Sequence, residues 1–323
     1  NKSNKLISID KARENKFTCD WDNYNPIKPT FEGIKYFDNI PVEEIIDYID
    51  WTPFFNAWGF NSRYPKVLEN NKTKNEAQKL FDDGKTLLNQ AIKEKWFDTK
   101  ATIGFYPANS SEDDIILHGQ KFNLHHLRQQ TAKKGKKPNY CLSDFIAPID
   151  SGKKDWIGGF AVTAGFNVEK IGQNFADKND DYKSIMIKVL GDRIAEALAE
   201  KMHEKVRTDL WGYSKNESLK NDDLIKEKYV GIRPAPGYPS CPDHSEKIAL
   251  FNLLDIKNNS NLQLTESFAV YPASSVSGWY FSHPDSKYFG LSRIDKEQLI
   301  DYAKRKKMEE EQLVKIFPQI IDL

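Results

Sequence analysis

Apolar residues recur at spacings of three and four along two long stretches of the chain. Ala77, Leu80, Phe81, Leu87, Leu88, Ala91 and Ile92 predict an amphipathic helix running to Trp96, and Thr73 followed by Glu76 places a capping-box pattern at its start. From about Tyr182 the positions Ile185, Met186, Val189, Leu190, Ile194, Leu198, Met202, Val206 and Leu210 keep the same period for about eight turns, which predicts one long helix with a single buried stripe. Other segments follow a strand rhythm. ATIGFYPA from Ala101, then DDIILH and FNLHHLRQQ around the turn signal His118-Gly119, read as strands in a hairpin arrangement, and DWIGGFAVTAG at 155–165 as a further strand. SFAVYPASSVSGWYFSHPDSKYFGLSRI adds two or three more. Shorter helical patterns follow Pro41, lie near 222–228 and run through Leu250 to Leu254; Asp295 with Gln298 caps another, and a last amphipathic helix ends near Phe317.

Strands and helices thus come in segregated clusters, without the regular alternation of a doubly wound fold. The class is α+β: a single domain with a largely antiparallel twisted sheet flanked by helices, one of them long. Residues 1–35, rich in Asn, Lys and Asp and carrying Pro26 and Pro29, show no sustained period and read as an N-terminal arm or linker, with the domain itself at 36–323.

Charge narrows the function classes. The 47 Lys and Arg balance 47 Asp and Glu over 323 residues, which argues against a dedicated nucleic-acid binder. No apolar run is long enough to span a membrane, and the polar first residues do not form a signal peptide. Three widely separated cysteines, Cys19, Cys141 and Cys241, suit neither a disulfide framework nor a Cys-x-x-Cys zinc site and point to a reducing, cytoplasmic setting. The start at Asn1 suggests a piece of a longer polypeptide.

The richest chemistry lies in GIRPAPGYPSCPDHSEK, residues 231–247. Prolines stiffen this segment, Gly237 permits close approach, and Arg233 offers a planar fork for a carboxylate or phosphate. Two readings of Arg233 stand side by side: a ligand-binding guanidinium on a rigid loop, and a salt bridge from a Pro-rich connector to the body of the domain. Adjacent His125 and His126 point to opposite faces of a strand and do not form a joint metal site. Cys241, His244 and His283 have poor zinc spacing. The lysine-rich KKGKK at 133–137 reads as a solvated hairpin tip whose positive charge could attract an acidic electron-transfer protein.

GIRPAPGYPSCPDHSEK, LTESFAVYPASSVSGWYFSHPDSKYF, YIDWTPFF and LRQQ with NYCLSDFIAP together resemble the C-terminal activation region of cobalamin-dependent methionine synthase, from about residue 27 to the end. That resemblance implies a domain that binds S-adenosylmethionine and donates its methyl group to reduced cobalamin during reductive reactivation. The cobalamin is held by a neighbouring domain of the same polypeptide, and a flavodoxin or flavoprotein reductase delivers the electron. It places Arg233 at the carboxylate of the methionyl portion and Asp50 near its ammonium group, with Glu196 a second candidate there. Tyr288 and the backbone at Phe289 lie beside the nucleoside, Ala235 and Gly237 offer main-chain contacts, and Tyr238 faces the ligand or the corrin. On helix geometry alone, Asp192 and Glu196 read as a solvated charged face. The resemblance implies no catalytic acid, base or nucleophile and no metal ligand in this chain, and no turnover by the domain alone. The alternatives are a protein-interaction domain without nucleoside binding and a standalone methyltransferase acting on a small molecule.

Overall fold

The computed structural model of the protein describes residues 5–322. Its elements in chain order are α1 (Ile9–Glu14), β1 (Gly33–Phe37), α2 (Thr52–Ala57), α3 (Lys74–Lys93), β2 (Lys100–Ser111), β3 (Asp114–Leu117), β4 (Leu124–His125), β5 (Asp155–Thr163), α4 (Asn167–Ala176) and α5 (Asp181–Lys205). After these come α6 (Asn221–Ile225), α7 (Glu246–Leu253), α8 (Ile256–Asn259), β6 (Gln263–Leu264), β7 (Val270–Tyr271), β8 (Ser275–Tyr280), α9 (Lys296–Lys306) and α10 (Glu310–Ile316). The main sheet runs β4-β3-β2-β5-β8, with β1 beside the first half of β2, and each pairing in it is antiparallel.

Both faces of this sheet are covered, which is why β5 is buried along its whole length. Odd positions of β2, Ile103 and Phe105, pack with α3 and α5, while even positions, Tyr106 and Ala108, pack with α7 and α8 on the other side. The alternation follows from the two-residue period of a strand. A third cluster joins α9, α10 and the C-terminal turn.

The predicted helices form where the spacing put them, with two differences. Thr73 occupies the N-cap of α3 but makes no capping hydrogen bond, whereas Asp295 accepts the Gln298 amide at 2.9 Å. Around α5 burial extends well beyond one stripe, to Ile187, Ala195, Ala199, Glu200 and His203, because the helix contacts α2, α3, α4 and the sheet at once. Ile185, assigned to the stripe, is exposed. The helix ends in a π turn, Val206–Leu210.

The N-terminal arm lies along the body. Ile7 N–H donates to Gln130 O, Arg13 pairs with Asp113 and Asp301, and Trp211 donates its indole N–H to Ile27 O.

Candidate functional site

The segment after Gly231 adds itself to the edge of β8. Ile232 and Phe281 exchange both backbone hydrogen bonds, and Trp279 N–H donates to Pro234 O at 2.8 Å. Residues 232 and 234 therefore face the strand, and the alternation turns the N–H groups of Arg233 and Ala235 the other way. Gly278 makes this approach possible: a Cβ there would lie 2.7 Å from Pro234 O. Three residues after Pro234, Gly237 has φ +94°, and a Cβ there would lie 2.3 Å from the His244 ring. Gly237 N–H donates to Cys241 O, closing the bend.

A cavity of about 560 Å3 opens beside this edge. Arg233, Ala235, Tyr238, Tyr288, Phe289 and Glu196, all singled out by sequence, stand in its wall. Asp50 lies in an adjoining cavity of about 300 Å3 that shares Glu196 and Arg233 with the first. Gly237 shapes the bend behind the wall. The structure thus gathers side chains separated by more than 200 positions in the chain around one guanidinium.

Arg233 joins the two cavities. Its Nη2 donates to Glu200 Oε2 at 2.9 Å, so the salt bridge and the cleft coexist. Its Nε is buried with no partner. Burial opposes the guanidinium charge, but the neighbouring carboxylates, Glu200 first and Glu196 after it, more than offset this and raise its pKa. Glu200 in turn lies 4.0 Å from Arg207, which Glu217 grips at 2.7 Å and which stacks over Tyr229.

Tyr288 belongs to the irregular segment after β8 rather than to a strand. Its hydroxyl accepts the Arg233 N–H at 2.9 Å and bonds Tyr229 OH at 2.9 Å, and burial pushes its pKa up. Ser240 Oγ accepts the Phe289 N–H and donates to the Phe289 carbonyl, so that backbone is already committed. Tyr238 is 58% exposed and stands at the mouth. Glu196, expected on a solvated face, lines the cleft, while Asp192 is exposed and accepts a hydrogen bond from Ser274. Asp50 Oδ1 accepts the Thr52 N–H at 2.9 Å.

Sequence reasoning missed Glu200, Glu227 and Tyr229. Glu200 carried a signal, being one turn beyond Glu196 on a helix already predicted. Glu227 falls at the end of the short helical pattern expected near 222–228, just past the end of α6, and Tyr229 follows it before Gly231; nothing in that pattern points either toward a cleft. His283 does not join Cys241 and His244; its Nε2 lies 2.6 Å from Cys19 Sγ instead. With Asp285 these two form the one cluster of metal-ligand type among the described residues. His126 is buried, as its place beside the partly exposed His125 requires.

An all-antiparallel main sheet with a cleft beside a proline-stiffened edge defines an α+β domain distinct from the doubly wound nucleotide folds. Residues 41–307 match the family described as vitamin B12 dependent methionine synthase, activation domain, and the chain belongs to that family. A crystal structure of the MetH reactivation domain bound to AdoHcy is 44% identical, with a TM-score of 0.95, over 98% of this chain and 99% of that one. The α+β reading of the sequence agrees with that fold. No helix among the described residues is long and apolar enough to cross a membrane.

Proposed function

We propose that the cleft binds S-adenosylmethionine and presents its methyl group to reduced cobalamin carried by a neighbouring domain of the same polypeptide, during reductive reactivation. The observation that carries this reading is Arg233: a charged fork at the junction of two cavities, with a buried Nε that lacks a partner and carboxylates from Asp50 and Glu196 nearby. A zwitterionic amino-acid tail supplies what that arrangement lacks, a carboxylate for the guanidinium and an ammonium for the two acids. The AdoHcy held by the solved relative has the same tail.

Bound there, S-adenosylmethionine supplies a sulfonium methyl whose transfer to cobalt breaks the S–C bond and leaves a neutral thioether. No proton moves, so the residues need only bind, orient and exclude water. Arg233 fixes the tail, Tyr288 fixes the Arg233 backbone, and the outward N–H of Ala235 offers a donor. Ser240 holds Phe289 beside the nucleoside, and Tyr238 stands where ligand and corrin meet. The electron comes from a flavodoxin or flavoprotein reductase, for which the lysines at 133–137 form a docking point.

Calorimetry tests the reading. The wild type is expected to bind S-adenosylmethionine and Arg233→Ala to bind it on the order of thirtyfold more weakly, as loss of a charge-assisted hydrogen-bond pair requires. Absence of binding in the wild type, or indifference to Arg233→Ala, would instead favour a protein-interaction domain. Formation of S-adenosylhomocysteine without cobalamin would point to a standalone methyltransferase.

A further inference from the structure

Beyond Tyr238 lies a third cavity, a chamber of about 470 Å3, which shares Glu196, Tyr238 and Val276 with the cleft. Its wall contains Lys247 and Ser277, neither of which lines the cleft. Lys247, in the first turn of α7, is only 8% exposed. Its Nζ contacts two acceptors, His244 Nδ1 at 2.9 Å and Phe268 O at 2.9 Å. Both are neutral groups: the backbone carbonyl carries no charge, and burial followed by Lys247 itself pushes the His244 pKa down. Asp243 is the nearby acid that could balance the ammonium, but it is taken by Lys306 at 2.7 Å, by Tyr302 OH at 2.7 Å and by Ser245. Lys247 is therefore a buried cation with no carboxylate at ion-pair distance among the described residues.

Ser277 adds an independent observation. It is 5% exposed, and its Oγ is buried without a hydrogen-bond partner. A buried ammonium without a counter-ion and a buried hydroxyl without a partner are both costly, and a single oxyanion in the chamber relieves both. A point-charge lysine together with an unpartnered hydroxyl donor is a combination suited to a phosphate group; of the other wall serines, Ser275 donates to Thr163 Oγ1 and Ser267 pairs with Thr265 Oγ1.

We propose that this chamber is a phosphate-binding site, with Lys247 as counter-charge and Ser277 Oγ as a hydrogen-bond donor. Glu196, the carboxylate in the shared wall, disfavours the anion on its own side and leaves the Lys247 end as the seat. The site is separate from the Arg233 fork, so its existence does not depend on the ligand assigned to the cleft.

Titration of the intact chain with inorganic phosphate and with dimethyl phosphate, at an ionic strength held constant with chloride, tests the site by calorimetry and by 31P line broadening. One equivalent is expected to bind saturably at millimolar concentrations. Lys247→Met should weaken binding at least about tenfold and Ser277→Ala severalfold, both with S-adenosylmethionine affinity unchanged. Binding of inorganic phosphate alone marks a site for the free ion, and binding of both marks a site for a phosphate group carried on a larger molecule. Should Lys247→Met fail to fold, Ser277→Ala and Lys247→Gln decide. The proposal is overturned if neither probe saturates the wild type, or if the folded variants bind as tightly as the wild type does.

Discussion

Arg233 has two claims on its charge, and only one is met inside the protein. Glu200 takes Nη2, while Nε stays without a partner. Arg233→Lys keeps the charge but loses the planar fork, so S-adenosylmethionine should bind about tenfold more weakly by calorimetry even though net charge is unchanged. His126 poses a different problem at the same scale. It is 2% exposed, both ring nitrogens lack partners, and burial pushes its pKa down to about 3, with Asp114 opposing. The folded value lies below the ordinary one, so the unfolded chain takes up the proton first. Stability from this residue is complete above about pH 6.5 and drains away as pH falls toward 3. At pH 5 the loss is roughly 2 kcal/mol. Asp155 slopes the other way: burial outweighs the Ala147 and Trp156 amides and raises it to about 7, so its contribution is present at low pH and lost as pH rises through 7. The two oppose each other between pH 5 and 7, and only a difference separates them. Relative to wild type, His126→Leu should gain about 2 kcal/mol in urea unfolding between pH 7.5 and pH 5, and a constant difference would rule out a neutral buried imidazole.

At the scale of elements, the edge segment 232–234 owes its position to a missing side chain. Gly278→Ala puts a methyl 2.7 Å from Pro234 O and 3.0 Å from the Phe160 ring, so segment and strand must part. The variant should lose about 1–3 kcal/mol of stability, and it should lose more S-adenosylmethionine affinity than a change of that size far from the cleft. Unaltered affinity would show that the segment does not need β8 beneath it. These elements also show what a sequence can display. α3, β2, β5 and α5 were legible because a 3.6 or 2.0 period writes burial into residue type. The breadth of burial around α5 was not, since alanines and Glu200 become interior only when four elements close on one helix. At the site, the proline-rich composition marked Arg233 and Gly237, and the resemblance carried by RPAPGY implied Ala235 and Tyr238. Glu227 and Tyr229 reach the same cleft from the segment that follows α6, and only the tertiary fold brings them there.

At the scale of the whole molecule, formal charge cancels, so any long-range steering has to come from local concentrations of one sign. The lysines at 133, 134, 136 and 137 are such a concentration, on a loop whose tip is exposed. The base of the loop is held firmly. The Asn139 side chain donates to Gln129 O and Thr131 O, Thr131 is bridged to Leu6 of the arm, and Gln129 Nε2 donates to Gly290 O in the wall of the cleft. A partner seated on these lysines is thereby tied to the same body that holds the cleft wall. Its attraction is between exposed charges, which salt screens over about 8–10 Å near physiological strength. Lys133→Glu combined with Lys134→Glu reverses two charges on the tip without touching the core. Flavodoxin association should weaken by roughly tenfold or more at low salt and much less at high salt, mainly through slower encounter. Equal affinity of the variant and the wild type at both salt concentrations would remove the loop from the docking surface and leave its lysines as solvated surface.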